Sequence, residues 1–287
     1  MTPPEVYAER PDGIPENGVD WSVRVVSNKY PALEIEGELD PREDGVYRSM
    51  RGVGAHEVII ESPDHHADLA SLADGQIAGV ARAARERILD LTGDRRFRYI
   101  QVFKNFGAEA GATLEHGHTQ LIATPTVPRR LDEELGGFAI HERANGGCIL
   151  CAIVEQERRT ASRVLLETEK FLAFEPFAAR FPYETWIVPT YHEAAYEVSS
   201  DEDLAAFGAT LGETLRRISR HLDRPPYNFV LHTAPINEPS ASRPLFHWHL
   251  EIMPKLTKVA GFEWGTGFYI NSVTPEAAAE ALRGAVG

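Results

Sequence analysis

One His-x-His pair, repeated, constrains this chain more than any other feature: positions 116 and 118 return as 247 and 249, a shift of 131 at both. What precedes each pair also repeats, in the same order. A strand-like run, His56-Glu57-Val58-Ile59-Ile60-Glu61, leads to Ser62-Pro63-Asp64-His65. Its counterpart, Tyr183-Glu184-Thr185-Trp186-Ile187-Val188, leads to Pro189-Thr190-Tyr191-His192. Helical apolar spacing follows over 69–91 and again over 203–222, then strand-like runs at 97–103 and 227–231 precede the histidine pairs. This order predicts an α+β fold of two tandem half-domains, 1–130 and 131–287, each an antiparallel sheet with one long helix. A charged, glycine-bearing connection is expected around 129–147, and a short final helix from Pro275.

Residues two apart in a strand point to one face, so His116, His118 and Gln120 are expected to form a polar row. An isolated row of this kind reads equally well as ordinary hydrogen-bonded sheet surface; its recurrence in register favours chemistry. A neutral imidazole whose opposite nitrogen keeps its hydrogen on a backbone carbonyl can attack an α-phosphorus. The nucleotidyl-imidazole so formed can pass its nucleotidyl group to a second phosphate, a ping-pong exchange. Gln120 suits this cycle because its neutral amide can donate to a non-bridging oxygen. The second row ends at Glu251, which would repel a phosphate, so catalysis is assigned to the first half. The glycine-bearing loop from Asn105 through Gly111 to Thr113 offers backbone N–H groups and two polar side chains for phosphate oxygens.

A formal charge of −14 argues against a nucleic-acid partner. No apolar run approaches a membrane span and the first ten residues do not resemble a secretory signal, so a cytoplasmic protein is expected. The two cysteines, Cys148 and Cys151, are too few for a disulfide framework, and their spacing suits two thiolate ligands on one metal. The alternative is a pair of buried reduced thiols. The repeat offers His192 and His247 as further donors. Phe171, Phe174, Phe177 and Trp186 are expected to pack the core.

Asn28-Lys29-Tyr30-Pro31-Ala32-Leu33, Ser62-Pro63-Asp64-His65, Gly111-Ala112-Thr113-Leu114-Glu115-His116-Gly117-His118-Thr119-Gln120 and Phe246-His247-Trp248-His249-Leu250-Glu251 together resemble the galactose-1-phosphate uridylyltransferase branch of the histidine-triad superfamily. That branch stands beside nucleotide-sugar and dinucleoside-polyphosphate phosphorylases. The resemblance covers nearly the whole chain and implies two histidine-triad-like halves. It implies His118 as nucleophile, Gln120 as its phosphate-binding partner, Asn105 and Thr113 as phosphate contacts and Asn28 as a base or ribose contact. It implies uridylyl transfer between a nucleotide sugar and a hexose 1-phosphate, or phosphorolysis with phosphate as acceptor. A structural Zn2+ on Cys148, Cys151, His192 and His247 is implied, against a competing arrangement using His232, His247 and His249 with Glu133 or Glu134. The segment carrying Lys258, Phe262 and Glu263 resembles the part that approaches the sugar phosphate, commonly across a homodimer interface. Relatives often carry another Cys-x-x-Cys ahead of the position of Asn28, completing a first-half metal site with His65 and His116. No such pair stands between Met1 and Asn28, so either an upstream stretch supplies it or His116 orients the nucleophile by hydrogen bonds.

Overall fold

Alternation within the strands decides which side of the sheet is covered, and the computed structural model, which describes residues 3–237 and 243–286, shows how. The chain opens with β1 (Glu5–Glu9) and β2 (Val23–Ser27), then a small separate hairpin of β3 (Arg42–Asp44) and β4 (Tyr47–Ser49). β5 (Ala55–Ile60), α1 (Asp74–Thr92), β6 (Tyr99–Phe106) and β7 (His118–Thr124) complete the first half. Two helices, α2 (Arg129–Asn145) and α3 (Ile149–Thr160), lead into β8 (Val164–Glu167), β9 (Phe171–Phe174) and β10 (Thr185–Pro189). α4 (Asp201–Leu222), β11 (Tyr227–His232), β12 (His249–Pro254), α5 (Gly261–Thr266) and α6 (Pro275–Gly284) follow.

The two halves share a single ten-stranded sheet, ordered β1-β2-β5-β7-β6-β11-β12-β10-β9-β8, with five strands from each. The expectation of one sheet per half is corrected in this respect. The seam is the antiparallel pair β6 and β11, where Asn105 faces Asn228 and Phe103 faces Val230. Pairing across the seam satisfies the edge N–H and C=O groups that each half would otherwise expose.

Ala55, Ile59, Ile100, Val102, Leu121, Ala123, Phe229, Leu231, Leu250 and Ile252 point to one face and form a core with α1 and α4. Those helices lie against each other. A Cβ on Gly208 of α4 would come within 2.7 Å of the Ala78 backbone nitrogen in α1, so only glycine permits this approach. Ser200 caps α4, accepting the Asp203 N–H at 3.1 Å while the Asp203 carboxylate accepts the Ser200 N–H at 3.0 Å; such a box contributes about 1 kcal/mol. The opposite parity, including His56, Gln120, Asn105, Asn228, His232 and Glu251, faces away from these helices.

Three further expectations are corrected. The 129–147 connection is mostly helical: Leu131, Leu135 and Phe138 recur at helical spacing and bury one side of α2, although Gly136 and Gly137 lower its propensity. His116 and His247 lie just before β7 and β12 rather than within them, so each histidine row begins at its second histidine. Phe177 is 78 % exposed, with the Arg163 guanidinium 5.3 Å from its ring centre, whereas Phe171, Phe174 and Trp186 pack as expected. No helix among the described residues is long and apolar enough to cross a membrane.

Candidate active site and metal cluster

β7 begins at His118, which is buried and has its Nδ1 2.8 Å from the carbonyl oxygen of His116. A carbonyl only accepts, so Nδ1 carries the hydrogen and Nε2 keeps the free lone pair. Burial is the largest influence on this ring and holds its pKa below the ordinary histidine value, with the Lys104 charge acting in the same direction; it is neutral at neutral pH. His116 is fixed in turn, its Nε2 donating to the Ser62 carbonyl at 2.7 Å and its Nδ1 lying 3.2 Å from Nδ1 of His65. The backbone of this turn is therefore held at both histidines.

Beneath His118, on the helix side, lies an ion pair with almost no solvent contact. Lys104 Nζ donates to the two Glu61 carboxylate oxygens at 2.7 and 2.9 Å and to the His118 carbonyl at 3.0 Å, and the Thr119 hydroxyl donates to Glu61 at 2.7 Å. Both charged side chains are 1 % exposed. Lys104 shares the parity of Ile100 and Val102, so a lysine on the buried side of an apolar alternation was the available signal for it.

Gln120 follows His118 on the open face, with its Oε1 3.0 Å from Nε2 of His56. The same ring nitrogen lies 3.1 Å from Asn28 Nδ2. Asn28 and His56 border a cavity of about 320 Å³ that Pro31, Leu33 and Ile35 make partly apolar. Across the seam, Asn105 Oδ1 accepts from Asn228 Nδ2 at 2.8 Å, and Asn228 also donates to the Ala110 carbonyl at 2.8 Å. Asn228 therefore ties the second half to the loop that precedes His118. Gly111 ends that loop's single helical turn at φ +89, a conformation glycine accepts without strain, and Thr113 is exposed beyond it. His56 and Asn228 are the residues that motif reading missed; strand register brings them in.

The second half holds the cysteines. Ligand atoms of Cys148, Cys151, His192 and His247 all lie within 4.8 Å of one another. Nδ1 of His247 is 3.6 Å from Cys148 Sγ and 3.5 Å from Cys151 Sγ, and Nδ1 of His192 is 3.6 Å from Cys151 Sγ. Tetrahedral zinc with bonds of about 2.3 Å to sulfur and about 2.0–2.1 Å to nitrogen has S···N edges of about 3.5 Å, so the donor set fits such an ion. The far ring nitrogens are anchored as second-shell geometry requires, His247 Nε2 on the Pro189 carbonyl at 3.1 Å and His192 Nε2 on the Pro244 carbonyl at 2.9 Å. A hydrogen bond between the sulfurs holds the Cys148 thiol well below its ordinary pKa and Cys151 above it.

A separate group joins Glu134, His232 and His249. His247 is not in it, having turned to the cysteines, and Glu133 pairs instead with Arg129 at the surface, so the competing set does not assemble as written. His232 Nδ1 is 3.1 Å from Glu134, and its ring stacks on His249 at 4.7 Å. Burial opposes charge on His232, but Glu251 and Glu134 outweigh it and raise the pKa to about 10. Glu251, likewise opposed by burial, is held well below the usual carboxylate range by His232 and Arg180. It is engaged in this network. The segment containing exposed Lys258, Phe262 and half-buried Glu263 follows β12: Glu263 accepts the Ala260 N–H at 3.0 Å, and Tyr269 meets Arg130 and the Phe181 ring.

Residues 14–128 match the family model of the N-terminal domain of galactose-1-phosphate uridyl transferase, and residues 100–285 match that of its C-terminal domain. An ADP-glucose phosphorylase of Arabidopsis thaliana is 37% identical over 272 residues, 94% of this chain and 76% of the relative. A galactose-1-phosphate uridylyltransferase of Thermotoga maritima is 33% identical over 272 residues, 92% of this chain and 85% of the relative. The crystal structure of an Arabidopsis thaliana ADP-glucose phosphorylase with bound ADP-glucose superposes with a TM-score of 0.87 at 34% identity, covering 98% of this chain and 86% of that one. With models of both domains matched in order across residues 14–285, the chain belongs to the galactose-1-phosphate uridylyltransferase family.

Proposed function

We propose that this enzyme transfers a nucleoside monophosphate, a uridylyl group in the leading reading, from a nucleotide sugar to a hexose 1-phosphate by way of a covalent nucleotidyl-His118. The observation that carries this reading is the His118 tautomer. With Nδ1–H held on the His116 carbonyl, the Nε2 lone pair is free to attack phosphorus while the ring's new positive charge is stabilised from behind. Attack forms the N–P bond as the bond from phosphorus to the sugar-phosphate oxygen breaks, and the sugar 1-phosphate leaves. Reversal with a second phosphate oxygen as nucleophile restores the imidazole. Gln120 donates its amide N–H groups to the phosphoryl oxygens; Asn105, Thr113 and the Gly111 loop hold the remaining phosphate, and Asn28 holds the ribose or base. His116 sets the nucleophile's orientation through its own carbonyl.

A second reading, phosphorolysis of an ADP-glucose-type sugar nucleotide, is favoured by the 37% identity to an ADP-glucose phosphorylase against 33% to a uridylyltransferase. One experiment separates them. Enzyme incubated with UDP-glucose or ADP-glucose labelled in the nucleotide is expected to retain acid-labile, base-stable label, which is then chased with galactose 1-phosphate or with inorganic phosphate. Release by the sugar phosphate supports transfer, release by phosphate alone supports phosphorolysis, and no label with either donor overturns both.

The donor set at Cys148, Cys151, His192 and His247 would hold a structural Zn2+, which would tie α3 to the turns before α4 and β12. Cys148→Ser protein is expected to lose about one zinc per chain by elemental analysis. Unchanged zinc would locate the metal elsewhere. Lys258, Phe262 and Glu263 belong to the proposed acceptor side, reached across a homodimer: Trp264 is 78% and Phe268 70% exposed in this segment, apolar surface that a second copy would cover. A monomer by light scattering would remove that part of the proposal.

A further inference from the structure

His56 is a histidine that the nucleophile, the phosphate loop and the metal cluster all leave unused, yet it contacts two of the proposed substrate-binding residues. It shares the open parity of β5, opposite Ile122 on β7, while Val58 is opposite Gln120, so His56 and Gln120 are diagonal neighbours across the ladder. Its Nδ1 faces the backbone N–H of Ala32 at 3.2 Å. A backbone amide can only donate, so Nδ1 carries no hydrogen and the ring holds its one hydrogen on Nε2. That hydrogen is directed at Gln120 Oε1, 3.0 Å away. The amide carbonyl of Gln120 is thus occupied, and its NH2 end is turned from His56 toward the open face. Asn28 is tied to His56 through its backbone, its N–H donating to the His56 carbonyl at 2.8 Å, and its Oδ1 accepts the Tyr30 N–H at 2.9 Å; its Nδ2, 3.1 Å from the same ring nitrogen, sets one N–H against another and makes no hydrogen bond there.

The second half supplies an internal comparison. By strand register, Glu251 stands where Gln120 stands, and Trp186 opposite it corresponds to Val58, so Glu184 occupies the place of His56. There the two side chains are both carboxylates bridged by Arg180, which consumes the polar ends of both. In the first half the bridge is a single ring N–H, which leaves two amide hydrogens free.

We propose that His56 is a positioning residue that acts through Gln120. By donating to Oε1 it fixes the amide with its donors toward the phosphate, and through the Ala32 N–H on its ring and the Asn28 N–H on its carbonyl it couples that orientation to the seating of the loop at 28–36. A free glutamine amide can turn over and present its carbonyl to the phosphate oxygens, which repel it; with His56 in place the turned amide would meet N–H with N–H. The inference rests on the proposed nucleotidylation of His118.

The test is the rate of His118 labelling at saturating sugar nucleotide. His56→Leu should slow it by about tenfold or more, the size expected for losing the preorganisation of one transition-state donor. His56→Gln, whose amide nitrogen reaches the place of Nε2, should restore most of the rate, and His56→Asn, which is shorter, should not. In a Gln120→Ala background His56→Leu should cause no further loss, because the group it positions is gone. Should His56→Leu fail to fold, the Gln and Asn variants carry the comparison. Labelling at the wild-type rate in His56→Leu or His56→Asn, or a full additional loss in the Gln120→Ala background, overturns the positioning role while leaving the nucleophile intact. A wild-type protein that takes no label from any sugar nucleotide overturns the underlying reading, and this role with it.

Discussion

His118→Ala protein is expected to take up no covalent label from a nucleotide sugar and to lose turnover by about four orders of magnitude or more, the scale seen when a covalent nucleophile is removed. The reason is specific to a two-step exchange. Without Nε2 the acceptor would have to attack the bound nucleotide directly, from a position that the site reserves for the departing sugar phosphate. The substitution removes the ring's bond to the His116 carbonyl but keeps the Lys104 bond to the His118 carbonyl and the His116 bond to Ser62. Circular dichroism should therefore match wild type with only a modest fall in melting temperature, while a quench-flow labelling trace is flat. In the wild-type enzyme the sign of the pH dependence follows from the buried ring. Its pKa lies below the ordinary histidine value, so the nucleophile is already neutral at pH 7. The labelling rate should be level above neutrality and fall only at acid pH, as the ring protonates. A labelled His118→Ala protein would assign the nucleophile to another residue.

How much of this was legible in the sequence depends on the range of the contact involved. The repeat is legible because strand, helix and histidine pair recur in one order, and helical spacing placed α4 to within two residues and the start of α1 to within five. The cysteines and their two histidines could be collected by the repeat and the family resemblance, and they do come together. Parity failed at His116 and His247, since the turn before each strand uses the carbonyl of the first histidine to hold the ring of the second. Asn228 could not be found by motif, because it meets Asn105 only through the pairing of β6 with β11 from different halves. His56 sits in a run that reads as an ordinary half-buried strand, and its importance lies in a diagonal neighbour 64 positions away. The joining of the halves into one sheet escapes single-sequence reading for the same reason: each half's edge strand looks complete until its partner is known.

Lys104→Met is expected to destabilise the protein by about 3–5 kcal/mol, the cost of leaving a buried carboxylate without its counter-ion. Methionine preserves the length and apolar stem of the lysine, so no large cavity contributes. What is lost is the donor to both Glu61 oxygens and to the His118 carbonyl, with only the Thr119 hydroxyl remaining on the carboxylate. Urea denaturation should show the loss as a lowered midpoint with an unchanged slope. Adding Glu61→Gln should recover much of it, because the charge that needed a partner has been removed. The double variant then isolates the second consequence. Its β7 entrance lacks the Lys104 bond to His118, so labelling should remain slower than wild type even where stability has returned. A single variant that loses less than about 1 kcal/mol would mean that water reaches Glu61 in solution and supplies the missing hydrogen bonds. The buried pair would then be a solvated one, and the rigidity of the nucleophile's backbone would have to come from His116 and its bond to Ser62 instead.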